Sequence, residues 1–294
     1  MKSNMLPSTH PKPGLTIMHV AFLCICLLIA AIGWNSLRAW LESGQNSEQS
    51  SSLWIIPLIS ISLIYERRLL VFANTRFLPG GLVLAAAGAG IFAASFSLHD
   101  HLARADANIL AILGIIVCLD GAFLACYGKD AWREVRFPLG FLLFAVPIPP
   151  IILEPLVHWL QRGSATVVSL LFTLLNVPYL RDGLRFYLSG LNIEIAPECS
   201  GIRSSFALLV LVVLLSHFAL HSTWRRLILI LAVVPLVLVK NGIRIVTLAL
   251  LTIYVDSSVI SGPLHHHGGF LFFGFVLAAE GLLCWLLQRS EISI

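Results

Sequence analysis

Residues 197–205 read PECSGIRSS, so a carboxylate (Glu198), a thiol (Cys199) and a guanidinium (Arg203) fall within six residues at the mouth of a very apolar run. A thiolate, not a thiol, is the competent sulfur nucleophile, and positive surroundings favour it. Ser200 is placed to cap a helix whose free N–H groups and positive dipole end face the sulfur, with Arg203 one turn inside. Two other stretches carry nearly all the remaining polar chemistry. One is KNGIR at 240–244, which sets Asn241 and Arg244 on one helical face; the other is HHHGG at 265–269, beginning with His265. Together they offer an activated cysteine, an added cation and an imidazole able to serve the sulfur. The competing readings are a buried free cysteine beside a helix start, a snorkelling arginine and a solvated surface histidine.

The other five cysteines, Cys24, Cys26, Cys118, Cys126 and Cys284, lie inside apolar segments, where a thiol behaves as a small hydrophobe, and no disulfide is expected. Three adjacent histidines splay apart on one backbone segment. With no HExxH or CxxC pattern to add ligands, neither a metal site nor any cofactor is expected. Asp120 and Glu280 fall inside apolar segments and are either part of a polar path or hydrogen-bonded within a helix bundle.

The elements that must position these groups are membrane helices. Of 294 residues, 58% are hydrophobic and 12% charged, and mean hydropathy is +0.90, which marks an all-α polytopic membrane protein. A formal charge of +4 spread over short loops gives no basis for nucleic-acid binding. Expected spans are 15–34, about 50–65, 79–98, 109–127, 137–153, 203–221, 227 to about 250, and 269–287, within one integral membrane domain over 1–294. The first is a retained span rather than a signal peptide. GGLVLAAAGAG at 80–90 reads as close helix packing. The stretch 155–178 is ambiguous, because His158, Gln161 and Arg162 precede an apolar half.

Basic residues collect on cytoplasmic loops. With the N-terminus inside, Lys2, Lys12, Arg67, Arg68, Arg76, Lys129, Arg133 and Arg136 are cytoplasmic, and the intervening short loops hold only Arg38 and Arg104. Arg225, Arg226 and Arg289 join them if 155–178 makes no net crossing, giving eight spans with both termini inside. Residues 179–202 and 255–268 then lie on the outer face. The former, with turn signals at Asn-Val-Pro, Asp-Gly and Ser-Gly, predicts a small β-hairpin leading into Cys199. The prolines of VPIPP at 146–150 should break the preceding helix. Arg244 follows Arg226 by 18 residues, a rise of roughly 27 Å, which brings it to the leaflet of Cys199 and His265. The apolar IVTLALLTIY after Arg244 would then overshoot the bilayer unless the helix tilts, bends or folds along the interface.

Cys199 in ECSGIR, Arg244 in NGIR, and His265 four residues before Gly269 make the chain resemble the exosortase and archaeosortase family of membrane transpeptidases. FPLGFLLFAVPIPP and GLRFYLSGLNIEIAPECSGIRSS look similar to that family's central region, so the resemblance covers a catalytic region at 137–288, with 15–136 matching only as N-terminal helical spans. It implies processing of membrane-anchored secreted proteins that carry a short C-terminal sorting signal of the Pro-Glu-Pro kind, an apolar helix and a basic tail. The active site would face outward from the inner membrane. Cys199 would attack the scissile carbonyl to form a thioester, His265 would carry the proton to the leaving amine, and Arg244 would stabilise the oxyanion, before an unknown acceptor resolves the thioester. Glu198, Ser200, Arg203 and Asn241 would support these groups. His266 and His267 adjoin the histidine, and the glycine register selects His265. The chain ends soon after the last span, so the extra C-terminal domain of some relatives is not expected. A non-enzymatic transporter or assembly subunit for surface polysaccharide is the alternative, and an intramembrane metalloprotease a third. A transporter should gather its polar groups at the midplane, whereas a transpeptidase gathers them at one leaflet.

Overall fold

The computed structural model describes residues 13–46, 54–73, 75–97, 103–255 and 269–292. Two compact units divide it, Met1–Pro150 and Ile151–Ile294. The first contains α1 (Pro13–Ile32), α2 (Trp34–Asn46), α3 (Ile55–Glu66), α4 (Arg68–Val71), α5 (Gly80–Ser97) and α6 (Arg104–Phe141). The second contains α7 (Pro150–Leu174), strands β1 (Tyr179–Asp182), β2 (Arg185–Leu188) and β3 (Leu191–Glu194), then α8 (Ile202–Ala219), α9 (Thr223–Tyr254) and α10 (Gly269–Ile292).

The first unit is organised by small residues. A Cβ on Gly81 would meet Ala125 N at 2.2 Å, one on Gly121 would meet Ala85 N at 2.2 Å, and Gly88 and Gly114 face Cys118 and Phe92 in the same way. The pairs descend on α5 as they climb on α6, so the helices run antiparallel with their backbones in contact, as glycine permits. Beyond that seam, Phe123, Tyr127, Ala131 and Val135 of α6 join Val71 in a buried cluster that Phe22 and Ile64 flank.

Five described helices, α5, α6, α8, α9 and α10, are long and apolar enough to cross a membrane, or six with α1 and α2 taken as one span bent by 70° at Gly33. That is fewer than the eight expected, for two physical reasons. Helix α3 has only 12 residues, about 18 Å of rise, too short to cross a ~30 Å core alone. The expected span 137–153 does not form as a helix of its own: its first half ends α6 and a 3-10 turn at Leu142–Ala145, Val146 is extended, and Pro150 opens α7. Helix α6 bends at Gly128, whose φ of 84° and ψ of 179° interrupt the helix where the charged segment begins.

In the second unit α7 is one continuous helix of 25 residues. Gly163 abuts Leu238, Ser164 meets Asn241, and Val167 abuts Gly242, so α7 and α9 run parallel. Helix α7 therefore travels the same way as α9 over much of its length, and it is not among the helices long and apolar enough to cross a membrane. Helix α8 returns antiparallel, with its first turn beside Lys240 and its end beside Arg226.

The stretch expected as a hairpin folds into a three-stranded antiparallel sheet ordered β1-β2-β3. Left-handed Gly183 (φ 59°) and Gly190 (φ 87°) turn the chain between strands. Phe186 and Leu188 point inward while Arg185 and Tyr187 point out. The inner face covers Ala165, Val168 and Phe172 of α7 and Ile245, Val246 and Ala249 of α9. The surplus apolar residues after Arg244 are thereby explained: α9 continues unbroken to Tyr254 and buries its last turns under the sheet.

Candidate active site

Two apolar clusters divide the second unit. One holds Leu160 of α7, Leu208 and Val212 of α8, Leu229, Val233 and Val237 of α9, and Val276 and Cys284 of α10; the other is the sheet-covered cluster above. Between them lies a layer of polar side chains: Gln161 and Ser164 on α7, Ser200 before α8, Ser204 within it, and Lys240 and Asn241 on α9. All of these except Ser204 are at most 7% exposed. Buried polar groups are costly unless paired, so a whole layer of them calls for an account.

Their partners supply one, because most of these groups hold the segment that carries Cys199. After β3, Pro197–Ser200 forms one 3-10 turn, in which the Cys199 N–H donates to Ala196 O at 2.9 Å. The carbonyls of the segment are then taken in order. Gln161 Nε2 donates to Ile195 O at 2.7 Å, Asn241 Nδ2 to Cys199 O at 2.6 Å, and the Ser204 and Ser205 hydroxyls to Gly201 O at 2.9 and 2.7 Å. Asn241 also donates to Ser164 Oγ at 3.0 Å, and the Lys240 ammonium donates to Ser204 Oγ. Side chains of α7, α8 and α9 therefore fix the backbone on both sides of the sulfur.

Gly201 makes this turn possible. Its φ of 76° is left-handed, and a Cβ there would come within 3.3 Å of Asn241 Oδ1 and 3.5 Å of Lys240 Nζ. Gly201 is also the N-cap of α8, which corrects the expectation for Ser200. Ser200 sits one residue earlier as the last residue of the 3-10 turn, and its hydroxyl accepts only a long 3.4 Å contact from Ile202 N. Positioned this way, Cys199 is half-buried at the edge of the sheet-covered cluster, immediately before the N-terminus of α8.

Of the residues expected from sequence, the structure joins Cys199 to Asn241 directly. Arg244 is half-buried on α9, three residues beyond Asn241, or about 4.5 Å of rise. Arg203 is exposed in the first turn of α8. Glu198 is in the 3-10 turn, and His265 lies outside the described residues, as do His266 and His267. Sequence reasoning passed over Ser164, Lys240 and Ser204 and read Gln161 only as one of the polar residues that make 155–178 ambiguous. Polar residues at i and i+3, such as Gln161 and Ser164, interrupting an apolar helix face were the available signal.

The two carboxylates within apolar helices lie elsewhere. Asp120 accepts from Trp132 Nε1 at 2.8 Å, across the bend of α6. Glu280 of α10 is fully buried, with neither oxygen hydrogen-bonded among the described residues.

A family model described as transmembrane exosortase (Exosortase_EpsH) matches residues 40–280, reaching well into the N-terminal helices as well as across the layer around Cys199. No curated protein and no solved structure gives a significant match to the chain.

Proposed function

The chain belongs to the transmembrane exosortase family, and from that premise we propose that it is a cysteine transpeptidase that cleaves C-terminal sorting signals of membrane-anchored secreted proteins. Membership supports a membrane transpeptidase or sorting role in general. One observation carries the finer reading: the carbonyls of Ile195, Cys199 and Gly201 are each held by side chains, so a half-buried thiol stands in a rigid frame at a helix start. A surface cysteine or a core hydrophobe needs no such frame, whereas a nucleophile that must meet a carbonyl in line gains from it.

In the proposed reaction the Cys199 thiolate attacks the scissile carbonyl. The resulting oxyanion is stabilised by the guanidinium of Arg244. His265 gives a proton to the departing amine as the C–N bond breaks, leaving the substrate as a thioester on Cys199. An acceptor nucleophile, or water, then attacks the thioester and releases the thiol. Asn241 positions the sulfur through the Cys199 carbonyl. We place the site on the outward face of the inner membrane, the face that the basic loops assign to the sheet and Cys199.

The test is release of the C-terminal tag from a reporter bearing a Pro-Glu-Pro-type signal, an apolar helix and a basic tail. Cys199→Ala and Cys199→Ser should each abolish release while the protein still enters the membrane. Wild-type release by either variant would end the cysteine mechanism. Release by Cys199→Ala that a chelator stops and zinc restores would point to a metalloprotease instead.

A further inference from the structure

Lys240 is a lysine within an apolar helix, 7% exposed, and its ammonium meets a serine hydroxyl but no carboxylate among the described residues. Arg244 lies four residues on, so two cations share one face of α9, where like charges at that spacing repel. Buried charges are ordinarily paired, because an uncompensated one is costly in a dry setting. The ammonium also lies beside the turn of the nucleophile, 3.5 Å from the point where a Cβ on Gly201 would sit.

We propose that Lys240 is a positioning residue for the reaction at Cys199: its ammonium, anchored by Ser204 under the Gly201 turn, supplies the fixed positive charge that is answered when an anion forms at the sulfur. This rests on the assignment of Cys199 as nucleophile. The anion is first the thiolate and then the oxyanion of the tetrahedral intermediate, so the charge is more fully balanced during the reaction than before it. Lys240 touches neither substrate nor sulfur in this account. It acts through the turn and through the field it creates.

The ionisable groups on the surrounding elements leave that role open. Arg244 on α9 and Arg203 on α8 are cationic. Glu194 on β3 is exposed and paired with Arg185 at 3.1 Å, Glu280 lies on α10, and Glu198 precedes the cysteine in sequence. Lys240 donates to Ser204 Oγ, and no carboxylate hydrogen-bonds it among the described residues.

The experiment measures alkylation of Cys199 by iodoacetamide against pH in the full chain in detergent, read peptide by peptide by mass spectrometry so that the other five cysteines do not interfere. Lys240→Met and Lys240→Gln should raise the midpoint of the alkylation profile, slowing the reaction at pH 7 by about threefold to tenfold. Lys240→Arg, which keeps the charge, should stay close to wild type. With the reporter substrate, the neutral variants should lower kcat and leave KM nearly unchanged. Folded neutral variants with a wild-type alkylation profile would overturn the proposal. So would the failure of both neutral variants to fold, since Lys240 would then be structural. The nucleophile assignment fails by a separate result, tag release by Cys199→Ala, so the two failures are distinguishable.

Discussion

The two units solve the same problem, packing apolar helices, in opposite ways. In the first, α5 and α6 close on each other through Gly81, Gly88, Gly114 and Gly121, so that backbone meets backbone and no side chain intervenes. In the second, α7, α8 and α9 hold a polar layer between two apolar clusters. Glycine seams gain dispersion contacts at little cost in side-chain entropy. A polar layer forgoes some of that gain and requires every donor to find an acceptor. The second unit satisfies this requirement largely by bonding to the backbone of residues 195–201. The contrast separates packing from function: where only cohesion is needed the chain uses glycine, and where a loop must be held at one geometry it uses amides, hydroxyls and an ammonium.

The largest expected effect breaks the first half of this comparison. Gly121→Leu drives a side chain into the backbone of Ala85, which cannot move aside without parting the helices, and should cost upward of about 3 kcal/mol. Gly90→Leu on the same helix pair, with open space around it, should melt close to wild type in a detergent thermal-shift assay. Equal melting of the two would mean that the seam is not what holds α5 to α6.

Smaller effects sharpen the second half. Asn241→Leu removes the donors to Cys199 O and Ser164 Oγ and should cost about 1–3 kcal/mol. Hydrogen exchange at residues 196–201 should accelerate in that variant, and unchanged exchange would show that the clamp does not hold the loop. Arg244→Lys keeps the charge but loses the planar fork, and tag release should fall roughly tenfold or more; full activity would remove Arg244 from the oxyanion role. Arg185→Ala breaks an exposed ion pair on the outer face of the sheet and should leave melting and release within experimental scatter, since such pairs are screened by water.

Much of the second unit was legible in sequence because its signals are local. Turn residues at Asp182-Gly183 and Ser189-Gly190 mark strand ends, the 2-residue alternation of Phe186 and Leu188 marks a covered face, and Cys199 stands out as the cysteine with polar neighbours on both sides. What stayed hidden depends on contacts distant in sequence. Lys240 reads as one more basic residue until Ser204, 36 positions away, is seen to accept its hydrogen bond. Ser164 reads as a tolerated small residue until Asn241 is beside it. The overshoot after Arg244 looked like a conflict because a bilayer was the only apolar partner considered; the sheet supplies another. The described residues show five or six span-capable helices where eight spans were expected, for a related reason. Hydropathy finds apolar stretches, but the left-handed Gly128 and the proline cluster at 146–150 decide where a helix actually ends.

The central claim is that the frame around residue 199 serves covalent chemistry at its sulfur. Incubating the membrane-embedded protein with the reporter, quenching rapidly in acid and mapping the adduct by mass spectrometry tests this directly. The account predicts an acyl group from the substrate on Cys199 that neutral hydroxylamine removes. An acyl group on another residue, or tag release with no adduct at Cys199 when turnover is slowed by withholding the acceptor, would contradict it.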